Sequence, residues 1–127
     1  MRAIDTNVLV RLVARDEDRQ AEVADAFVAG GAWVSQIVLV ETLWVLGSVL
    51  KLTAARIATV VEMLLDHEHL TLQDADCVAR ALEHFRRRPT LGFSDCLVLA
   101  NAHKAGHLPL GTFDKDLARL PDTQRLS

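Results

Sequence analysis

The sequence predicts an α/β fold, with a central parallel sheet covered by helices on both faces to give a three-layer α/β/α sandwich. One observation is alternation: short apolar stretches at residues 2–5, 32–35, 69–72, 108–111 and 123–126 are separated by longer segments with apolar residues near the helical period. Strands alternating with helices in this way form parallel sheets covered on both faces. The other is size and composition. The chain has 127 residues, 50% of them hydrophobic and only 5% aromatic, enough aliphatic volume to bury a core without disulfides or a structural metal. No internal repeat, low-complexity tract or linker interrupts it, so one domain over residues 1–127 is expected.

Residues 2–5 make the first strand, which ends at the polar corner Asp5, Thr6, Asn7 before VLVRLV turns into a first helix. The acids at 16–18 can cap a second helix with apolar positions Ala21, Val23, Ala24, Phe27 and Val28, stopped by Gly30 and Gly31. After the strand at 32–35, residues 37–50 are almost all apolar, which implies a helix buried on most of its circumference. Thr53 is a good N-cap for a helix with the stripe Ile57, Val60, Val61, Leu64 and Leu65. Beyond the strand at 69–72, Asp74 opens a helix through Val78, Ala79, Leu82 and Phe85 that must stop before Pro89. Ser94 is placed to cap the next helix, SDCLVLANAHKAG, closed by Gly106. A strand at 108–111, a helical turn at 114–120 and a strand at 123–126 complete the order.

Four acids stand out against this frame. Asp5, Asp95 and Asp114 each lie near the start of an expected helix, where a carboxylate caps free N–H groups or complements the helix dipole. Glu41 has no such local role, because Val38, Leu39, Val40, Leu43, Trp44, Val45 and Leu46 surround it well inside a helix expected to be buried. A buried carboxylate needs a cation, a hydrogen-bond partner or a raised pKa. Ligands in open α/β sheets bind at the carboxyl ends of strands, and Asp5 and Asp114 both follow expected strands. Acids gathered there repel one another, and a divalent cation relieves the repulsion. Oxygen-only donors suit Mg²⁺ or Mn²⁺, ions that serve phosphate chemistry.

The rest of the chain excludes several classes. A formal net charge of −3 argues against a phosphate-bearing partner. If the four acids hold metal, however, 17 − 4 = 13 acids face 14 Lys and Arg, and local patches decide. Arg86, Arg87 and Arg88 form the obvious patch, either a solvated helix end or a phosphate contact. Cys77 and Cys96 show no zinc or disulfide spacing, and a reducing cytoplasm is expected. The N-terminus does not read as a signal peptide, and no apolar run approaches membrane-spanning length. The histidines at 67, 69, 84, 103 and 107 adjoin no nucleophile, and Trp33 and Trp44 read as core or interface residues. No Walker A loop, GxGxxG, GxSxG or HExxH motif occurs.

Four blocks, AIDTNVLVRL at 3–12, VLVETLWVL at 38–46, GFSDCLVLANA at 92–102 and TFDKDLARL at 112–120, resemble in order the PIN-domain family of metal-dependent ribonucleases, in particular the toxins of VapBC toxin–antitoxin pairs. The resemblance spans essentially the whole chain. It implies a parallel α/β/α sandwich, Mg²⁺ or Mn²⁺, RNA cleavage, homodimerisation and inhibition by a cognate antitoxin. The family's acids fall on Asp5, Glu41, Asp95 and Asp114, and its supporting polar residues on Thr6, Asn7 and Thr112. Asp116 competes with Asp114 for the fourth place. The residues themselves leave two other functions open: a PIN-like module that binds RNA or protein without cutting, and a hydrolase of small phosphate esters.

Overall fold

The computed structural model describes residues 1–127 and contains six α-helices, five short strands and one 3-10 turn. The chain separates into two compact units, Met1–Ala75 and Asp76–Ser127. Every strand pairing is parallel, as the alternation of strands and helices predicts.

The first unit holds β1 (Arg2–Ala3), α1 (Thr6–Ala14), α2 (Asp18–Val28), β2 (Ala32–Val34), α3 (Gln36–Ser48), α4 (Ala54–Asp66) and β3 (Leu70–Leu72). Its sheet has the order β1-β2-β3, with Arg2 beside Ala32 and Ala32 beside Leu70. Polar residues start the helices. The Asp5 carboxylate accepts from the Thr6 N–H, Glu17 from Gln20, Ser35 from Val38 and Thr53 from Arg56, each satisfying a donor the helix cannot. Gln73, just past β3, ties the carboxyl edge together: its N–H donates to the Val34 carbonyl at 2.8 Å, and its Oε1 accepts from the Gln36 N–H at 2.9 Å.

One expectation is corrected in α3. The helix buries Leu39, Thr42, Leu43 and Leu46 but leaves Ile37, Glu41, Trp44 and Ser48 exposed, with Ile37 and Trp44 at 72% and 66%. The exposed positions are spaced i, i+4, i+7 and i+11, one stripe of a helix. An almost wholly apolar sequence selects no face by itself. Packing of α1 and α4 against α3 makes that choice, and it leaves Glu41 and Trp44 outward. Glu41 is therefore not buried, and Trp44 is not a core residue of this chain.

The second unit holds α5 (Ala75–Arg87, starting at the boundary residue), α6 (Phe93–Ala105), β4 (Leu110–Thr112), the 3-10 turn (Leu117–Arg119) and β5 (Thr123–Arg125). Cys77, Val78, Ala81, Leu82 and Phe85 of α5 and Phe93, Cys96, Leu97, Leu99 and Ala100 of α6 are buried. Phe85 and Phe93 meet edge to face at 5.8 Å. The N-cap expected at Ser94 lies two residues earlier. Gly92 takes that place and makes no side-chain cap bond, because burying Phe93 draws that residue into the helix and moves Ser94 into the first turn. Gly106 closes α6 in the left-handed conformation, φ 80°, which glycine adopts without steric cost. β4 begins at Leu110, beyond Pro109, which has no N–H to give a ladder.

Candidate active site

In the first unit, Asp5 sits where β1 gives way to α1. Its Oδ1 accepts the Thr6 N–H at 2.7 Å, and its carbonyl accepts from Val8 and Leu9. This cap fixes the carboxylate at the carboxyl edge of the sheet and leaves Oδ2 without a protein donor. The next side chain, Thr6, donates its hydroxyl to Glu41 Oε2 at 2.8 Å across the packed α1 and α3 helices. Two acids 36 positions apart in sequence are thus linked through one residue, whose N–H serves Asp5 and whose hydroxyl serves Glu41. Both carboxylates are exposed, so neither carries the burial cost that a core position for Glu41 would have imposed. Asn7 is also exposed, and its amide engages no group of the chain.

In the second unit, Asp95 lies in the first turn of α6, partly buried. Its carboxyl is held above the ordinary carboxylate range, first by burial and then by the negative charge of Asp114. Asp114 follows β4 and is exposed. Its Oδ1 accepts from the N–H groups of Asp116 and Leu117 at 2.8 and 3.1 Å, while its own N–H donates to Thr112 Oγ1 at 3.0 Å. Thr112 therefore braces the turn that aims Asp114. Asp116 makes no side-chain cap bond at the turn it opens, and its charge is not among the causes acting on Asp95. Arg86 and Arg87 close α5, and the Arg88 N–H continues it onto the His84 carbonyl.

The donor chemistry fits a hard divalent cation. Every candidate is a carboxylate or hydroxyl oxygen, the set favoured by Mg²⁺ and Mn²⁺, and the repulsion between Asp95 and Asp114 is of the kind a cation offsets. Within neither unit do three or more His, Cys, Asp or Glu side chains gather closely enough to hold an ion. Each unit supplies two of the acids.

Sequence reasoning did not find the open cleft beside Asp5, about 820 Å³, between α1 and α2 and lined by Ile4, Asn7, Val8, Arg11, Arg19 and Phe27 among others. No sequence motif marks such a cleft, because it follows from how two helices diverge from β1. The Thr6–Glu41 contact was equally hidden, although Thr6 itself was marked by its place in the DTN corner.

The PIN domain family model matches residues 3–122, nearly the whole chain and all four blocks that hold the acids. This chain belongs to the PIN domain family. Its α/β sandwich class with a parallel sheet is as the sequence predicts, and its fold is of the nuclease type. Comparison with curated proteins and with solved structures gave no match. No helix is long and apolar enough to cross a membrane.

Proposed function

We propose that this protein is an Mg²⁺- or Mn²⁺-dependent endoribonuclease that hydrolyses RNA phosphodiester bonds, and that it is the toxin of a VapBC-type toxin–antitoxin pair. The observation that carries this is the family match across residues 3–122, which takes in Asp5, Glu41, Asp95 and Asp114 together. In this proposal residues 1–127 act as one domain.

Asp5 and Asp95 are the direct metal ligands. Glu41 completes the ligand shell or holds a water, oriented by the Thr6 hydroxyl. Asp114 is the fourth acid in preference to Asp116, because its charge reaches Asp95 and Thr112 braces it. Asn7 and Asp116 are supporting polar groups. When bound, the cation polarises the phosphoryl oxygen and lowers the pKa of the attacking water. The chain's own contribution is to hold each carboxylate by caps and side-chain hydrogen bonds, so that little reorganisation is needed during reaction.

The partners are RNA, a cognate antitoxin and a second copy of the chain. The outward Ile37 and Trp44, spaced i and i+7 on α3, support a protein-covered face, since large apolar side chains left exposed together mark such surfaces. The two cysteines are both buried and form no disulfide, which is compatible with the cytoplasm.

The test is incubation of purified protein with total RNA and, separately, with a small phosphate ester, each with Mn²⁺ and with excess chelator, followed by mapping of cut ends. Discrete RNA ends that vanish with chelator support the proposal. Activity on the ester alone supports a small-ester hydrolase, and binding of RNA without cutting supports a silent module.

A further inference from the structure

The second unit carries a concentration of cationic side chains that the acids do not explain. On α5, Arg80, His84 and Arg87 recur at i, i+4 and i+7, one stripe of the helix. Arg80 and Arg87 are exposed and neither meets a carboxylate in a salt bridge. The partner that Arg80 does take is an imidazole: its Nη1 lies 3.1 Å from His103 Nε2 on α6. A guanidinium has only donors, so it holds His103 with Nε2 as acceptor and keeps its remaining N–H groups for another ligand. Glu83 is the one acid acting on His84. Its influence is smaller than that of Arg80 or Arg87, and together with burial these cations hold the His84 imidazole below its ordinary range. The field at His84 is therefore positive, on a chain whose net charge is −3.

His103 stands eight residues after Asp95 on the same helix, about 12 Å along its axis at ~1.5 Å per residue. A polyanion running along α6 from Asp95 would meet Arg80 about two turns further on. Arginine suits this role because its planar fork matches phosphate oxygens two at a time. We infer that Arg80 and Arg87 form a phosphate-contact strip on α5 that grips the backbone of single-stranded RNA, with Arg80 about two helical turns from Asp95 and Arg87 back toward it, since α5 and α6 run antiparallel. This rests on the reading of the protein as a ribonuclease and adds where its substrate is held. It also moves the RNA contact from the run Arg86 to Arg88 onto the helical stripe, since only every third or fourth residue shares a face.

The experiment is equilibrium binding of a fluorescent single-stranded RNA oligonucleotide to the full chain in excess chelator, over a series of NaCl concentrations. Wild type is compared with Arg80→Ala, Arg87→Ala, the double variant, Arg80→Lys, and Arg56→Ala on α4 as a charge-matched control. Each phosphate contact to a single strand contributes about 0.7 to the slope of log K against log salt. Each alanine should therefore lower the slope by about 0.7 and the pair by about 1.4, while Arg80→Lys and Arg56→Ala leave it unchanged. The proposal is overturned by an unchanged slope in the double variant, which would fit an acidic protein partner instead. An equal loss in Arg56→Ala, showing only net charge, also overturns it, as does wild type that binds no RNA. Because binding is read without metal, wild type that binds through the strip but never cuts with Mn²⁺ would refute the ribonuclease reading alone.

Discussion

Replacing Thr6 by alanine removes the hydroxyl that holds Glu41 Oε2 at 2.8 Å and disturbs little else. The cap bond to Asp5 uses the Thr6 backbone N–H, which the substitution retains. A hydrogen bond to a charged acceptor is worth about 1.5–3 kcal/mol, and exposure of Glu41 puts this one at the lower end. At about 1.36 kcal/mol per decade, RNA cleavage should fall about tenfold, within the ~10–100-fold that loss of a residue orienting a metal ligand usually causes. Folding stability should fall by no more than the same ~1.5 kcal/mol, since only this one exposed bond is lost. The assay is initial cleavage rate with Mn²⁺, beside urea unfolding of the same preparation. Thr6→Ser keeps the hydroxyl and should restore most of the rate. A Thr6→Ala protein that cuts at the wild-type rate, or a serine variant no better than alanine, would refute the orienting role.

Three further outcomes follow from packing and charge. Leu46, fully buried in α3, should cost about 2–5 kcal/mol when cut to alanine, read as a lower urea midpoint at unchanged slope; a loss under 1 kcal/mol would contradict its place in the core. Arg15, hydrogen-bonded to both oxygens of Asp25, holds the Asp25 carboxyl below its ordinary range. Its stabilising contribution is therefore present above the unfolded carboxylate range and lost as pH falls through the folded value. Asp25→Asn should be the less stable protein near neutrality and match wild type in strong acid, and a difference that grew on acidification would have the wrong sign. Cys77 and Cys96 are buried, and burial followed by the Asp95 charge pushes the Cys96 thiol up to about 11. Neither should react with a thiol reagent at neutral pH until the protein is unfolded, so rapid labelling of the native chain would show that one of them is accessible.

Where the sequence was legible, a local rule was enough. Thr53 as a cap, Gly106 as a left-handed stop and the end of α5 before Pro89 all depend on a few neighbouring residues, and the structure has them. The parallel pairing followed from strands alternating with helices. What local rules miss is which face of an element finds a neighbour. The apolar run of α3 gave no direction, so Glu41 seemed to need burial, whereas it points outward beside Thr6. Ser94 looked like a cap because its side chain is suitable, but the burial of Phe93 set the start of α6. The acid positions were visible as a pattern, and the residues that brace them, Thr6 for Glu41 and Thr112 for Asp114, acquired definite partners only in the folded chain.

The central claim is that the carboxylate at the end of β1 serves metal-dependent RNA cleavage and does not merely cap α1. The most direct measurement is RNA cleavage by Asp5→Asn beside wild type, with Mn²⁺ and with excess chelator, with circular dichroism taken on both proteins. An asparagine oxygen can still accept the Thr6 N–H, so the helix should stay intact while cleavage is abolished and wild-type activity disappears with chelator. Full activity in folded Asp5→Asn, or wild-type cleavage that persists in excess chelator, would contradict the account.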